Sequence, residues 1–393
     1  MEGVDNMIKN KLKNLSEEDL NKVMEKYYSG VKPSELILEY KLDVPASCLY
    51  KLFPPIVCED LLCPNCGVYM IKDRQSKNSS VRSCAYCKEC GHKDSPLCNC
   101  NKCKEIKEIM QIKREEHEKV IQMKKRKLIE EVYDIKKKTS VNYESLTFRE
   151  KVCLGALIKC AGSEDLKYIH PLKECDNKLA PTGRYFKEIF SVLNKRGIIV
   201  VSPDSNMDAF VQDDKECEFP YVYYMNKVKY VININSDNYI EDIDKILNPS
   251  ELSENDKEVA LALWEEIALE ECLEYLLYQM ESVKFEFSIG EKTVLVFKEM
   301  LKNFSVSQIY NIIYRGVANA TKYYQESNIS RRQAANSVIG NCLRYAERAL
   351  IEQWELTKYS RRYDLKQSVF SEFLYNKVIK IGDLGFNMPP VLP

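Results

Sequence analysis

The side chains best suited to chemistry are eight cysteines and one histidine from Cys63 to Cys103. They read Cys63-Pro-Asn-Cys66-Gly, Cys84, Cys87-Lys-Glu-Cys90-Gly-His92 and Cys98-Asn-Cys100-Asn-Lys-Cys103. Two C-x2-C pairs at this separation can close four thiolates around Zn2+. The expected first site is therefore Cys63, Cys66, Cys87 and Cys90. A second zinc is expected on Cys98, Cys100 and Cys103, with either Cys84 or His92 as fourth ligand. A tetrahedral site filled by protein ligands has no open position, and no general base adjoins it. Its chemistry is structural: the metal holds a fold together.

Such ligands need tight turns to carry them. Gly67 and Gly91 supply the backbone freedom that lets amide N–H groups point at sulfur. Val68–Ile71 and a polar turn at Ser76–Ser80 are expected to form the first of two hairpins. The pattern CPNCG…CKECGH resembles a zinc ribbon, which implies one cysteine pair per hairpin. Lys72, Arg74, Lys77 and Arg82 surround the hairpin and suit phosphate contact, although ribbons also serve as structural clips or docking knobs.

Sixteen cysteines among 393 residues do not read as a disulfide framework. Met1–Leu15 is rich in lysine and asparagine and has no apolar signal core, so a reducing, cytoplasmic setting is expected. No run reaches the roughly eighteen apolar residues that a membrane span needs. The net charge of −1 gives no overall pull toward nucleic acid, so local patches must carry any electrostatic argument. Glycine-rich phosphate loops, H-E-x-x-H pairs and G-x-S-x-G elbows are missing, and there are only three histidines. These features predict a non-enzymatic protein.

Upstream of the cysteines, Ser16 caps a helix bearing Leu20, Val23, Met24 and Tyr27, which ends at Ser29-Gly30. Pro33 opens a second helix, and a third is expected from Pro45 to Leu52 before Pro54-Pro55. This trio resembles the helix-turn-helix of transposases and resolvases, which implies that Ala46, Ser47, Leu49, Tyr50 and Lys51 face a DNA groove. A packing or protein-contact role for the trio is the other reading.

From Lys104 to Lys138 there is neither proline nor glycine, which predicts a helix about 50 Å long. Its middle, Lys113–Lys119, is almost purely charged, so it is not a sustained coiled-coil repeat. Lys124, Lys125, Arg126 and Lys127 form one basic knot and Lys136–Lys138 another, suited either to phosphates or to a solvated linker.

Residues 145–235 read as three helices and a hairpin: one after the Thr147/Glu150 capping box, one at Ser163–Ile169, and one from Pro181. Strands are expected at Ile198–Val201, Tyr221–Tyr224 and Val228–Ile234. LNKRGIIVVS resembles the winged-helix junction of bacterial transcription regulators. That resemblance implies that Arg184, Lys187, Lys195 and Arg196 line the groove-reading face.

Beyond residue 250 the sequence predicts a helical domain. Its first helix carries Glu266, Glu270 and Glu274 on one face, expected as a solvated or protein-facing acidic surface. Helices at Lys292–Lys302, Ser305–Gln325 and Ser330–Trp354 follow. The last residues, from Gly385, read as an extended apolar strap.

The expected layout is mainly α (α+β): helix-turn-helix at 1–57, zinc ribbon at 58–103, linker helix at 104–140, winged helix at 141–249 and helical bundle at 250–393. The expected function is a zinc-stabilised DNA-binding protein of the regulatory, mobile-element or phage-defence (antiviral) type. The Lys-, Asn- and Ile-rich usage fits an AT-rich bacterial source, and residues 250–393 would provide self-association or a protein contact. Alternatives are an interaction scaffold or sensor in a defence system, and a metal-dependent nuclease using Glu266, Glu270 and Glu274.

Overall fold

A computed structural model describes residues 16–79, 83–212 and 218–391. The protein is mainly helical with three small sheets, and forms two compact units, Met1–Gln122 and Met123–Pro393.

The first unit opens with α1 (Glu17–Tyr28), capped by the Ser16 hydroxyl, and α2 (Pro33–Glu39). The third segment, Ala46–Leu52, is a 3-10 helix rather than the expected α-helix. Pro45 precedes it, and the Cys48 amide closes an i+3 bond onto the Pro45 carbonyl. Val23, Tyr27, Leu36, Leu49, Leu52 and Phe53 form this module's small core. β1 (Ile56–Leu62) then pairs antiparallel with β2 (Tyr69–Lys72), so the Cys63–Cys66 turn itself joins the first hairpin. The expected Ser76–Ser80 turn instead follows β2, where the Ser79 amide bonds to Ser76 O; Ser80 lies outside the described residues. Tyr86 bridges Ile71 on one side and Lys93 on the other, which makes the second hairpin.

α3 (Asn101–Val132) starts within the last cysteine cluster and ends in the second unit. A 3-10 turn at Ile135–Lys137 replaces the expected helical continuation to Lys138.

In the second unit, β3 (Val141–Asn142) leads to α4 (Phe148–Ala161), whose Thr147/Glu150 capping box forms as expected. The helix expected at Ser163–Ile169 is a turn followed by β4 (Tyr168–Ile169). Ser163 and Asp165 side chains accept bonds from the Tyr168 and Lys167 amides, and Leu166 takes a positive φ of 56°, all of which break a helix. α5 (Gly183–Lys195) and β5 (Ile199–Val201) come next, then β6 (Tyr230–Ile232) and β7 (Ile234–Asn235). β6 lies between β4 and β5, antiparallel to both, and β7 runs parallel to β3. The strand expected at Tyr221–Tyr224 is a single bridge, Tyr223 to Phe210, because turns at Tyr221 and Lys227 interrupt it.

α6 (Tyr239–Leu247) and α7 (Glu254–Ser282) follow, then α8 (Glu291–Leu301), α9 (Val306–Glu326) and α10 (Arg331–Ile351). Ser305 with Gln308, and Ser330 with Gln333, form capping boxes on α9 and α10. The chain closes with α11 (Val369–Phe373) and α12 (Leu384–Asn387). The expected C-terminal strap is thus partly helical and belongs to this unit's own core: Phe386 is buried, and the Gly385 carbonyl accepts from the Trp264 indole at 2.9 Å.

One apolar core extends from Ile129 to Phe386, so segments 141–249 and 250–393, expected as separate domains, are packed together. α7 is buried around nearly its whole circumference from Leu263 to Leu276, with Glu270 and Glu271 enclosed among its apolar residues. Where α9 crosses α10, a Cβ on Gly316 would stand 2.4 Å from the Cys342 sulfur, which is fully buried. Gly316→Ala should cost about 1–3 kcal/mol through overpacking. Urea midpoints for this variant, and partial recovery in Gly316→Ala/Cys342→Ala, check the account.

Candidate metal centres and nucleic-acid interface

Two groups of ligand atoms converge among the described residues: Cys63, Cys66, Cys87 and Cys90, and His92, Cys98, Cys100 and Cys103. In each group the four atoms lie within 4.8 Å of one another. A tetrahedral zinc with Zn–S near 2.3 Å and Zn–N near 2.0 Å sets thiolates about 3.8 Å apart, and a thiolate about 3.5 Å from an imidazole nitrogen. Cys63 and Cys90 sulfurs stand 3.6 Å apart. His92 Nδ1 lies 3.2, 3.5 and 3.8 Å from Cys103, Cys98 and Cys100. Both donor sets match a divalent ion with sulfur and nitrogen ligands such as zinc, and neither leaves a position open.

The choice left open by the sequence falls to His92. Cys84 stays out of both groups: it is exposed, and its thiol donates to the Asp94 carbonyl at 2.9 Å.

Local backbone geometry makes the sites. Gly67 and Gly91 take φ of 70° and 68°, which turn each C-x2-C segment back on itself. The Gly67 amide bonds to Cys63 O and the Gly91 amide to Cys87 O. The amide of His92 draws the Cys90 thiol down to about 6. The Lys93 amide, 3.1 Å from the Cys98 sulfur, does the same there, again to about 6. Each cluster therefore holds a ready thiolate at neutral pH. Cys66 is pushed up to about 12 by its hydrogen bond to Cys90, and Cys103 up to about 11 by burial, so loading with metal releases their protons.

Asn65, which the spacing argument passed over, stands between the clusters. Its amide nitrogen lies 4.0 Å from the Cys90 sulfur and 3.7 Å from that of Cys100. Lys102 of α3 donates to the Asn65 carbonyl at 3.0 Å, and Lys107 to the Cys98 carbonyl at 2.9 Å. The start of α3 is thus tied to both centres. An asparagine inside C-x2-C was the available signal.

The helical module and the ribbon meet in the first unit. The Tyr28 hydroxyl donates to Gln75 O, Lys77 to the Gly30 and Val31 carbonyls, and Arg74 to Pro54 O. Beside these bonds runs a groove of about 800 Å3, lined on one side by Tyr50 and Lys51 and on the other by Arg74, Tyr86 and Lys88. Three cations face one carboxylate, Asp73, which accepts from the Tyr86 hydroxyl at 2.8 Å. Burial, with Asp73 beside it, pushes Tyr86 up to about 12 and keeps it a neutral donor.

The other basic residues singled out in the sequence are placed unevenly. Arg82 lies outside the described residues. Lys124 and Lys127 are exposed. Lys125 bonds to Gln212 and lies over the Phe219 ring, and Arg126 is held by the Ser205 and Pro203 carbonyls and by Glu130. On α5, Lys187 and Lys195 are exposed, while Arg184 pairs with Glu270 and Arg196 with Glu150.

The Arg184 pairing belongs to a seam that corrects the acidic-surface expectation. Arg149 makes a two-pronged bond to Glu266 at 2.8 and 2.6 Å, and Tyr185 donates to the same carboxylate. Glu270 accepts from Thr182 and Arg184, and Glu274 from Lys178. Glu271, one residue off that row, pairs with Arg361 and accepts from Ser371 at 2.7 Å. The acidic face of α7 is turned inward and matched cation by cation.

Comparison with protein-family models, characterised proteins and solved structures finds no match to this chain. No helix of the described residues is long and apolar enough to cross a membrane.

Proposed function

We propose that this chain is a zinc-stabilised, non-enzymatic DNA-binding protein in which the first unit contacts the phosphate backbone. The observation that carries this reading is the groove between the 3-10 helix and the ribbon. Lys51, Arg74 and Lys88 supply positive charge, Tyr50 and Tyr86 offer ring faces and hydroxyls, and Ser76 and Ser83 add short donors. Cations interleaved with aromatic rings suit a nucleic-acid strand, through phosphate neutralisation and base stacking. The helix-turn-helix reading of residues 1–57 and the ribbon reading of 58–103 each contribute expected contact residues to this groove. The two metal centres would hold its walls in register.

The test is fluorescence anisotropy with a labelled DNA duplex and a single strand across salt concentrations. Affinity should fall steeply with salt, and Lys51→Glu/Lys88→Glu should weaken binding at least about tenfold at about 100 mM salt. Lys187→Glu/Lys195→Glu on α5 should leave it within about twofold. A flat salt response, or a loss confined to the α5 variant, would remove the groove from the proposal.

The winged-helix reading of residues 141–249 draws support from the order α4, β4, α5, β5, β6 and from the central position of β6. Its groove-reading role is weakened because Arg184 and Arg196, two of the four cations expected on that face, are paired with Glu270 and Glu150. This favours the second reading for that unit, a scaffold or sensor that docks protein partners. Recovery of a stoichiometric protein partner free of nucleic acid would separate the two. The nuclease reading has little left to use, because Glu266, Glu270 and Glu274 are each held by a cation.

A further inference from the structure

Every residue of α3 from Lys104 to Lys124 is exposed. In proteins most helical stability comes from packing of an apolar face, and this stretch buries none among the described residues. It leaves Ile106, Ile109, Val120 and Met123 between 46% and 63% exposed. On a seven-residue repeat with Ile106 at position a, the a positions read Ile106, Lys113 and Val120. The d positions read Ile109, Glu116 and Met123, so all six lie on one stripe. Met110 and Ile112, also exposed, occupy the flanking e and g positions and widen the apolar seam.

The charged pair in the middle looks like a defect only if the partner is parallel. A parallel copy would set Lys113 on Lys113 and Glu116 on Glu116, like charges in a desolvated seam. An antiparallel copy, with its twofold axis passing between Arg114 and Glu115, sets each a residue against a d residue. Lys113 then meets Glu116 of the second copy, Ile106 meets Met123, and Ile109 meets Val120, each contact occurring twice by symmetry. The stripe is self-complementary in both apolarity and charge in that one register.

We propose that residues 106–123 of α3 pair antiparallel with the same segment of a second copy and join two chains into a homodimer. The interface is distinct from residues 250–393 and does not depend on the DNA-binding reading. The Lys113–Glu116 layers select orientation and register, as buried polar positions do in coiled coils.

The test is sedimentation equilibrium of the metal-loaded full chain over a dilution series. The wild type should give twice the 45.8 kDa chain mass at the upper concentrations and dissociate on dilution. Lys113→Glu alone sets a second carboxylate against Glu116 of the other copy at both layers, and Glu116→Lys alone places lysine against lysine. Each single variant should raise the dissociation constant at least about tenfold. Lys113→Glu/Glu116→Lys restores opposite charges and should return it to within about threefold of wild type. Because both side chains are solvent-exposed and lie outside both metal clusters and the second unit's core, metal content and the thermal melt of the second unit should stay constant, which separates dissociation from misfolding. A wild type monomeric up to about 100 µM, single variants that dimerise like wild type, or a double variant that fails to recover would each overturn the proposal.

Discussion

Chelation of metal from the two ligand clusters is expected to unfold the module spanning residues 56–103 while the second unit keeps its structure. The reason is the size of the ribbon's own core. Among the described residues it consists of Cys63, Met70, Ala85 and Cys87, and two of those four are ligands. Without the ion, a two-stranded hairpin and a few bridges have almost no apolar burial to offset chain entropy. Structural zinc contributes on the order of 10–16 kcal/mol at neutral pH in comparable small sites, as much as the whole stability of an ordinary domain. The second unit has a separate core from Ile129 to Phe386 and no cysteine–histidine cluster among its described residues.

Elemental analysis of freshly purified protein should find two zinc ions per chain. Cys63→Ser and His92→Ala should each reduce that to one. Limited proteolysis after chelation should cut within residues 56–103 and leave a resistant fragment beginning near Met123. Metal-free protein with an intact, protease-resistant ribbon would sink the account. Asn65→Ala provides a finer check: because its side chain lies between Cys90 and Cys100, its loss should weaken metal retention at both sites.

Arg361→Ala should be the most damaging single substitution in the second unit. Glu271 and Arg361 form an enclosed ion pair at 2.9 Å, with the Glu271 side chain 1% exposed. Burial alone would pull the Arg361 guanidinium down, but the Glu271 charge and hydrogen bonds hold it above its usual range. Deleting the arginine leaves a carboxylate with, among the described residues, only the Ser371 hydroxyl, beside Tyr310, Tyr375 and Phe386. Breaking a buried pair this way costs about 3–5 kcal/mol. For a unit of this size that lowers the melting temperature by on the order of 10 °C.

The neutral double variant Glu271→Gln/Arg361→Met should recover part of the loss, because the penalty comes from the orphaned charge rather than from the missing bond. Thermal melts followed by fluorescence of the buried Trp264 would read both effects. A double variant no better than Arg361→Ala would show that guanidinium packing, not charge, carries the stability.

Much of the secondary structure was legible because it follows from short-range rules. The caps at Ser16, Thr147, Ser305 and Ser330 all accept the bonds their side chains are suited to. The failures came where local chemistry competes with periodicity. Ser163 and Asp165 bond their own turn and displace a helix, and turns at Tyr221 and Lys227 reduce the tyrosine-rich strand expected at Tyr221–Tyr224 to a single bridge.

By itself the sequence determined which side chains could gather around metal, because C-x2-C spacing and a following glycine fix ligand geometry within a few residues. It determined as well the mainly helical class and the presence of a long uninterrupted helix in α3, but not where that helix ends. Only the tertiary structure decided that His92 rather than Cys84 completes the second cluster, since several peptide units separate the two and hairpin pairing sets which reaches the sulfurs. It alone turned the acidic row of α7 inward onto Arg149, Arg184 and Lys178. Charge complementarity between segments roughly a hundred residues apart has no periodic signature in the chain; it exists only once packing brings those side chains within hydrogen-bonding distance.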